Sequence, residues 1–365
     1  MSKIFETMEK LGYEQVIFFY DKNTGLKGIT TIHNTTLGPA LGGTRMWKYN
    51  NEDEVLTDSM RLARGMTLKN AAAGLNAGGA KTAIWADAKK DKSEAFWRAY
   101  GRYVESLNGR FVTAEDVNTN LQDMHFINME TEHVVGLEGI GGNPSPITAW
   151  GVYRGIQACL MEKYGHKDIK GHTFAIQGVG NVGYSLLEIL ADKGAKKIYY
   201  TDINPANIAR VKQNHPEAQL VDGKRYWSLA VDVLAPCALG AILNPTTIKQ
   251  IKAPIIAGSA NNQLAEEDRD GNDLMKRKIL YAPDFVCNGG GVVNCYHELI
   301  HPYSREATMR DVDMIYERML EIFKIAKSRK INTQKAANLY AEKRIKEIGE
   351  VRKNFITTKS STALK

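Results

Sequence analysis

The stretch HTFAIQGVGNVGYSLLEILADKGAKKIYYTD, residues 172–202, decides the fold class of this chain. It predicts a strand, a tight turn, a helix and a second strand. Gly178, Gly180 and Gly183 occupy the turn as GxGxxG, and the second strand ends on Asp202, 19 residues after Gly183. Such glycines let a pyrophosphate approach the backbone, and the helix N-terminus offers it N–H donors. The pattern therefore predicts a dinucleotide-binding βαβ unit, and the Asp202 carboxylate favours NAD over NADP.

The remainder of the second half continues this alternation of strands and helices. PANIARVKQNH predicts a helix, and VDVLAPCA, PIIAGSA and ILYAPDFV predict strands. Such alternation is typical of a parallel, doubly wound sheet. Two small-residue runs, AGSANNQ (257–263) and CNGGGVVN (287–294), are interpreted as strand ends. Each of them either lets backbone approach a flat ligand or forms an ordinary loop.

The first half mixes strands and helices less regularly. EDEVLTDSMRLARGMTLK predicts a helix, and Lys81 is expected to open the strand KTAIWA that follows. SEAFWRAYGRYVESLNG predicts a helix with Ser93 as its N-cap, and GRFVTAED predicts the next strand. Near the C-terminus, SREATMRDVDMIYERMLEIFKIAKS and TQKAANLYAEKRIKEIGEVR predict two long helices. Two prolines in NPSPIT, residues 143–148, mark the expected domain boundary.

Composition and charge narrow the class of protein. The chain has 365 residues, 43% of them hydrophobic, and a net charge of +7. Most of the excess charge lies near the C-terminus with interleaved glutamates, which predicts a solvated helix and a frayed tail (TTKSSTALK) rather than a nucleic-acid surface. No apolar run approaches the ~20 residues that span a membrane, and the N-terminal residues do not resemble a signal peptide.

The cysteines and histidines give no sign of a metal site. Four cysteines without CxxC or metal-type spacing are expected to be reduced thiols of a cytoplasmic protein. The eight histidines are dispersed along the chain, and His33, His125, His133 and His172 are expected to be surface or satisfied core residues.

Two lysines stand out in KNAAAGLNAGGAKTAIWAD, residues 69–87, because an ammonium group is costly to bury among alanines and glycines. Lys69 falls on one helical stripe with residues expected to face the core: Val55, Ser59, Leu62 and Met66. An inward lysine in the last helical turn is suited to receive an anion such as a carboxylate. The alternative is that both lysines reach the surface along their apolar stems.

Asp116 ends the predicted strand GRFVTAED. Chemistry in α/β proteins commonly gathers at the carboxyl ends of strands. A helix cap or an ordinary turn is an equally common use of aspartate in this setting.

Seven segments together carry a resemblance to a known family: LGPALGGTRMW, RLARGMTLKNAAAGLNAGGAKT, ESLNGRFVTAEDVNT, NPSPITAWGV, AIQGVGNVGY, AGSANNQL and YAPDFVCNGGGVVN. They resemble the glutamate/leucine/phenylalanine/valine dehydrogenase family, most closely its leucine-specific members, from about residue 37 to about residue 345. The resemblance implies NAD-dependent oxidative deamination of an L-amino acid to a 2-oxo acid, ammonia and NADH.

The resemblance also implies a two-domain α/β architecture. Residues 1–147 would form a substrate domain that the C-terminal helices, about 331–365, complete. Residues 148–330 would form a Rossmann-type, doubly wound NAD-binding domain, and the family has a cleft between the two domains.

The family's functional residues carry over to matching positions of this chain. Lys69 matches the lysine that holds the substrate carboxylate, Lys81 the catalytic lysine, and Asp116 the acid that shuttles protons at the amine. The expected substrate-binding residues are Lys69, Leu41, Gly42, Gly43, Met66, Ala114, Asn262, Val292 and Cys295. The expected cofactor-binding residues are Thr148, Gly178, Gly180, Asn181, Val182, Gly183, Asp202, Ile203, Ala238, Ala260, Asn262 and Asn288.

The pocket residues favour branched-chain substrates, namely leucine, isoleucine and valine. Glutamate-specific members have a lysine and a serine where this chain has Leu41 and Cys295, so a side-chain carboxylate would be buried unpaired. Cys295, Tyr296 and Trp150 depart from the leucine-specific pattern and bear on substrate size. An aromatic amino acid dehydrogenase, for tryptophan or phenylalanine, is therefore the alternative within the family, and a non-catalytic NAD-binding sensor is the alternative outside it.

The partners expected from this resemblance are small molecules and further copies of the chain. They are an L-amino acid or its 2-oxo acid, ammonium and NAD, with a homo-oligomer as the expected assembly. No nucleic acid, membrane or metal is expected.

Overall fold

The computed structural model describes residues 4–137, 139–300 and 302–351. The predicted tail TTKSSTALK lies outside the described residues. Within the described residues, no helix is both long and apolar enough to cross a membrane.

The chain divides into two compact units. The first unit contains residues 1–143, 292–305 and 341–365, and the second contains residues 144–291 and 306–340. The first boundary lies within NPSPIT, at residues 143 and 144. In this division residues 144–147 and 331–340 belong to the second unit and residues 292–305 to the first.

The elements follow in chain order. The N-terminal part forms α1 (Ile4–Leu11), β1 (Gln15–Tyr20), β2 (Lys27–Asn34), β3 (Ala40–Trp47), α2 (Glu52–Ala72), β4 (Gly78–Trp85), α3 (Glu94–Glu105), β5 (Phe111–Glu115) and α4 (Leu121–Asn128). The middle part forms α5 (Ser145–Tyr164), β6 (Thr173–Gln177), α6 (Asn181–Asp192), β7 (Lys197–Thr201), α7 (Pro205–Asn214), β8 (Gln219–Leu220), α8 (Gly223–Tyr226), β9 (Val233–Pro236) and α9 (Pro245–Ile248). The last part forms β10 (Ile255–Ile256), α10 (Glu267–Lys276), β11 (Leu280–Tyr281), α11 (Asp284–Cys287), α12 (Gly290–Glu298), α13 (Arg305–Asp313), α14 (Ile315–Arg329) and α15 (Thr333–Val351).

The first unit contains a five-stranded mixed sheet in the order β1-β2-β4-β3-β5. Strand β3 pairs in parallel with β4 on one side and with β5 on the other. This pairing places the middle of β4 and the carboxyl end of β5 on either side of β3.

Helix α2 packs directly on β4 because that strand begins with two glycines. A Cβ added to Gly79 would lie 2.0 Å from the backbone nitrogen of Thr67. The Ser59 hydroxyl donates to the backbone oxygen of Lys81 at 3.1 Å, and Asn70 Nδ2 donates to that of Leu41 at 3.1 Å. These contacts fix the helix that carries Lys69 against the strand that carries Lys81.

The expectation that Lys81 opens its strand is wrong. Strand β4 begins at Gly78, so Lys81 is its fourth residue. Both glycines pair within the strand. They are glycines because a side chain at either position would collide with α2 or with neighbouring backbone.

The opposite face of this sheet carries a buried hydroxyl cluster. Thr44 Oγ1 lies 2.6 Å from the hydroxyl oxygen of Tyr100, which in turn lies 2.8 Å from Thr82 Oγ1. Since successive strand residues point to opposite faces, Lys81 lies on the face away from this cluster.

The second unit contains a six-stranded, all-parallel sheet in the order β11-β10-β9-β6-β7-β8. This order is that of a doubly wound dinucleotide-binding sheet, with the first βαβ unit at its centre. The two-domain α/β class expected from the sequence is therefore confirmed. The glycine-rich turn lies between β6 and α6 as predicted.

Two expectations for the C-terminal half are wrong. CNGGGVVN is not a strand end, because it lies at the end of α11 and the start of α12. Gly290 serves helix packing, since a Cβ there would lie 2.3 Å from the backbone oxygen of Ile147. The predicted helix SREATMRDVDMIYERMLEIFKIAKS is broken at Met314 into α13 and α14.

His33 links the docking of α2 to pH. Its Nδ1 lies 2.8 Å from Thr67 Oγ1 on α2, and its Nε2 lies 3.1 Å from the backbone oxygen of Leu11. Burial, which leaves the side chain 8% exposed, lowers the pKa of His33 to about 4. The imidazole therefore stays neutral in the folded protein while an unfolded chain would protonate it near pH 6.5.

We expect the first unit to lose stability between pH 6.5 and pH 4, because only the unfolded chain takes up this proton in that range. The loss from His33 alone reaches about 3 kcal/mol. In His33→Gln the fall in unfolding midpoint over this range should be smaller, whereas exposed His166→Gln should behave as the unaltered protein. Equal pH dependence in all three proteins would contradict the assignment.

Candidate active site

Lys81, Asp116 and Arg45 form an ion cluster at the centre of the first unit. Lys81 Nζ lies 2.9 Å from Asp116 Oδ1, and Arg45 Nε lies 2.8 Å from Asp116 Oδ2. Lys81 is 4% exposed, and the Asp116 side chain is 20% exposed. The cluster is therefore almost dry yet still reachable from solvent at its carboxylate.

The strand arrangement brings these side chains together. Asp116 directly follows β5, Lys81 lies on β4, and Gly43 lies between them on β3. A Cβ at Gly43 would lie 2.9 Å from the Asp116 Cβ and 3.2 Å from Lys81 Nζ. Only glycine leaves room for the lysine and the carboxylate to meet across this strand.

The backbone around Asp116 is also held. Thr119 Oγ1 accepts from the Asp116 backbone N–H at 2.8 Å and donates to the backbone oxygen of Thr44 at 3.1 Å. The predicted position of Asp116 at the carboxyl end of a strand is confirmed.

The environment shifts both pKa values downward. Burial lowers the pKa of Lys81, the Arg45 cation lowers it further, and attraction to Asp116 opposes both. Burial would raise the pKa of Asp116, but the Lys81 and Arg45 cations outweigh it and hold that pKa well below its usual range. The site thus combines a carboxylate that stays ionised with a lysine that gives up its proton more readily than usual.

Arg45 is a site residue that the sequence analysis missed. Its Nη1 also lies 3.0 Å from Asp58 Oδ2, and the same oxygen accepts from the Tyr49 hydroxyl at 2.7 Å. Arg45 shares a strand face with Gly43, two residues earlier, so the alternation of β3 could have indicated it.

Lys69 lies in the last turn of α2, as expected, and is half-buried. The stripe assigned to it is only partly buried, because Val55 and Ser59 are buried while Leu62 and Met66 are half-buried. Lys69 interacts electrostatically with Cys295 of α12. This helix therefore belongs to the surroundings of the lysine.

Cys295 behaves as a neutral, weakly polar group. Burial raises the pKa of its thiol to about 12, with further contributions from Glu298 and Glu115. Glu298 is 4% exposed, and its Oε2 accepts from the backbone N–H of Gly136 at 2.7 Å. Glu115 and Glu298 were not among the predicted site residues, and desolvation raises the pKa of both.

The remaining predicted pocket residues of the first unit are buried or closely packed. Leu41 and Ala114 are buried on β3 and β5, and Val292 is buried three residues before Cys295 on α12. A Cβ at Gly42 would lie 3.5 Å from the Met66 Cγ and 1.8 Å from the Ala80 backbone oxygen.

Two departures from the leucine-specific pattern have structural partners. Trp150 Nε1 donates to Asp313 Oδ1 at 2.9 Å, and its ring packs on Tyr153 with centroids 5.0 Å apart. Tyr296 is buried and packs edge-on against His297.

The glycine-rich turn of the second unit fits a pyrophosphate. Gly178 has a φ of 85°, and a Cβ at Gly183 would lie 1.9 Å from the Gly178 backbone oxygen. The space beside Gly180 is open, since a Cβ there would meet no atom within 4 Å. Helix α6 begins at Asn181, and no side chain caps its N-terminus. The backbone N–H groups of its first residues, Asn181 and Val182, can therefore face an anion.

Asp202 follows β7 and holds the turn. Its Oδ2 accepts from the Val179 backbone N–H at 2.8 Å, and its Oδ1 accepts from that of Asn204 at 2.7 Å. The next residue, Ile203, is 99% exposed, which offers an apolar surface beside the carboxylate. Ala238 touches the turn, because its Cβ lies 2.7 Å from the Cβ position of Gly178.

The other predicted cofactor residues of the second unit are Asn288, Ala260 and Asn262, which lie outside its helices and strands, and Thr148, which lies in the first turn of α5. Asn288 Nδ2 donates to the Ser259 backbone oxygen at 3.0 Å and to Asn261 Oδ1 at 2.8 Å, which leaves its own buried Oδ1 without a partner. Ala260 is buried, and exposed Asn262 has a φ of 51°. Thr148 Oγ1 donates to the Pro144 backbone oxygen at 2.9 Å.

No group of three or more His, Cys, Asp or Glu side chains suited to hold a metal ion occurs among residues 4–137, 139–300 and 302–351.

Comparison with known proteins assigns both parts of the chain to one family. Residues 13–133 match the model "Glu/Leu/Phe/Val dehydrogenase, dimerisation domain", and residues 139–353 match "Glutamate/Leucine/Phenylalanine/Valine dehydrogenase". The chain is 50% identical to leucine dehydrogenase of Geobacillus stearothermophilus, over 97% of this chain and 96% of that one. It is 45% identical to L-tryptophan dehydrogenase of Nostoc punctiforme, over 94% and 96%. The crystal structure of L-tryptophan dehydrogenase from Nostoc punctiforme superposes with a TM-score of 0.84 at 43% identity, covering 94% of this chain and 99% of that one.

The ion cluster predicts opposite responses to two substitutions. The pKa of Lys81 should lie below the ~10.4 of an unperturbed lysine. Asp116→Asn should lower it further because an attracting anion is lost, whereas Arg45→Met should raise it because a repelling cation is lost.

Acetic anhydride labelling of Lys81 at a series of pH values, read by mass spectrometry, measures this pKa. Exposed Lys89 in the same sample serves as the internal reference. A shift in the same direction for both variants would contradict the cluster as described.

Proposed function

This chain belongs to the Glu/Leu/Phe/Val dehydrogenase family and is an amino acid dehydrogenase; from that premise we propose that it deaminates branched-chain L-amino acids oxidatively with NAD. The products would be the 2-oxo acid, ammonia and NADH, and the reaction is reversible. The observation that carries the proposal is the contact of Lys81, whose pKa is lowered, with ionised Asp116. This pair supplies the proton transfers that deamination requires.

Each residue of the first unit has a distinct task in the proposed reaction. Lys69 would pair with the substrate carboxylate and thereby fix the orientation of the Cα–H bond. Asp116, which is ionised before the reaction, would accept a proton from the substrate nitrogen. Neutral Lys81 would act as general base towards the water that attacks the iminium carbon.

Bound NAD would serve as the hydride acceptor. The open space at Gly180 and the uncapped start of α6 would hold its pyrophosphate, and Asp202 would accept from the adenosine ribose hydroxyls. A 2′-phosphate would meet the same carboxylate, so NAD should be preferred to NADP. Thr148 and Asn262 would lie near the nicotinamide carboxamide.

The substrate side chain would lie among apolar groups. Leu41, Ala114 and Val292 are buried, and the Cys295 thiol stays protonated. A glutamate carboxylate there would lose its hydration without gaining a cation, so glutamate should be rejected. The higher identity to leucine dehydrogenase than to L-tryptophan dehydrogenase supports aliphatic over aromatic substrates.

We also propose that the chain forms a homo-oligomer and acts in the cytoplasm. The family model over residues 13–133 is described as a dimerisation domain. Phe18 and Tyr20 are exposed on β1, the edge strand of the first sheet, and such an edge favours pairing with another chain. The four cysteines are free thiols, which is typical of a reducing compartment.

A substrate panel tests the function directly. NADH formation with leucine, isoleucine and valine should agree within a modest range, because one methylene in such a pocket discriminates by only ~1–3 kcal/mol. Glutamate should give no measurable turnover, and NADP should replace NAD poorly. The Cys295→Val variant, assayed in parallel, should turn over longer side chains less well because valine is larger. Preference for tryptophan or phenylalanine over leucine would overturn the aliphatic assignment.

Replacement of the general base should abolish most turnover while leaving cofactor binding intact. Lys81→Ala should lose roughly 10²–10⁴-fold in kcat, the scale of a positioned acid–base group. Because the base must be neutral, kcat of the unaltered enzyme should rise with pH until Lys81 has lost its proton. Lys89→Ala is the matched surface control. Near-full turnover in Lys81→Ala would assign the base to another residue.

A further inference from the structure

We propose that Arg210 is a positioning residue for the cofactor: it holds the glycine-rich turn in the conformation whose N–H groups face the pyrophosphate. The inference rests on the proposed use of NAD. It concerns a residue outside the GxGxxG motif, on the helix that follows Asp202.

Arg210 contacts the turn through backbone carbonyl groups. Its Nη2 donates to the Val179 backbone oxygen at 2.7 Å and lies 3.3 Å from that of Gly180. The Gly180 oxygen also accepts from the Tyr184 backbone N–H at 2.9 Å, the first bond of α6. Charged donors make stronger hydrogen bonds than neutral ones, so the guanidinium is a firm partner for these carbonyls.

The Val179 residue is thus held at both of its polar groups. Asp202 Oδ2 accepts from its N–H at 2.8 Å while Arg210 donates to its oxygen. Asn207 Nδ2, on the same helix as Arg210, lies 3.2 Å from the same Asp202 oxygen. The turn is therefore bound to α7 and to the end of β7 rather than free between two elements.

Peptide planarity converts this hold into an orientation of donors. The C=O of Val179 and the N–H of Gly180 belong to one rigid plane and point in opposite directions. A carbonyl fixed towards Arg210 therefore directs the Gly180 N–H away from it. The same argument applies to the Gly180 carbonyl and the N–H of Asn181, which begins α6. These are the donors that an anion at the helix N-terminus would meet.

Glycine makes such a hold necessary. Gly180 has open space on its Cβ side, which admits a ligand, but its backbone can also adopt conformations closed to other residues. Without Arg210, the Val179 carbonyl could rotate into the space that a phosphate would occupy, whereas the Gly180 carbonyl keeps its bond to the Tyr184 N–H. Binding of the cofactor would then have to restore this conformation, and its apparent affinity would be lower.

Tyr184 keeps Arg210 in place. The guanidinium carbon lies 3.9 Å from the centroid of the Tyr184 ring, one turn into α6. Stacking on an aromatic face suits the planar guanidinium and limits its alternative positions. A lysine at this position would keep the charge but could not stack on the ring in this way.

The experiment measures NADH binding by fluorescence titration in the full-length protein. Arg210→Met should raise the Kd for NADH about 10-fold or more, and Arg210→Lys should fall between this variant and the unaltered protein. Arg277→Met is the matched control, because Arg277 also donates to a backbone oxygen of the second unit, that of Ile251 at 2.9 Å, but not to the glycine-rich turn. Its Kd should stay within about twofold.

Kinetics separate positioning from general structural damage. In Arg210→Met the KM for NAD should rise, whereas kcat at saturating NAD and the KM for leucine should stay within about twofold. If Arg210→Met fails to fold, Tyr184→Leu provides the test, with a smaller rise in the Kd for NADH.

A Kd for NADH in Arg210→Met equal to that in Arg277→Met would overturn the inference. A fall in kcat and a rise in the KM for leucine as large as the rise in the KM for NAD would also overturn it. The proposed function fails separately, if the unaltered protein neither binds NADH nor turns over an amino acid.

Discussion

The ammonium group of Lys81 is enclosed by strand backbone and loses its hydration. Neighbouring charged groups of the first unit offset this loss. The Asp116 carboxylate lies 2.9 Å from it, and Arg45 holds the other carboxylate oxygen. If the Asp116 carboxylate fully offset the burial of the Lys81 ammonium group, the two would form an ordinary ion pair. Here burial and the second cation outweigh the attraction, so that the pKa of the lysine falls while that of the carboxyl also falls. A lysine with a lowered pKa and an ionised carboxylate therefore lie side by side.

Three glycines near the ion cluster and α2 have steric roles. Gly43 leaves the lysine and the carboxylate room to meet, Gly42 accommodates neighbouring backbone, and Gly79 lets α2 touch β4. Helix α2, which carries Lys69, therefore packs on the strand that carries Lys81. The positions of the two lysines are thus consequences of missing Cβ atoms.

The sequence predicted the local features better than the contacts between distant segments. Hydrophobic periodicity and the residues typical of element ends predicted β6, α6, β7 and α2, because each of these elements depends on neighbours along the chain. Asp116 could be placed at a strand end for the same reason. The alternation of β3 could have placed Arg45 on the face of Gly43, but its contact with Asp116 depends on the pairing of β3 with β5. Glu298 was missed because its significance depends on the position of α12, which no local pattern records. CNGGGVVN was misinterpreted because glycines in a helix that packs closely on another resemble loop glycines in composition.

Lys81 lies on β4, which has a strand on either side, and Asp116 follows β5 at the edge of the same sheet, whereas Val292 and Cys295 project from α12, a separate and later segment of the chain. Under the proposed function, a change in α12 would alter the size of the accepted side chain without moving the groups that transfer protons. Substrate choice and proton transfer would then rest on different segments of the chain, so that one could change in evolution while the other stays fixed.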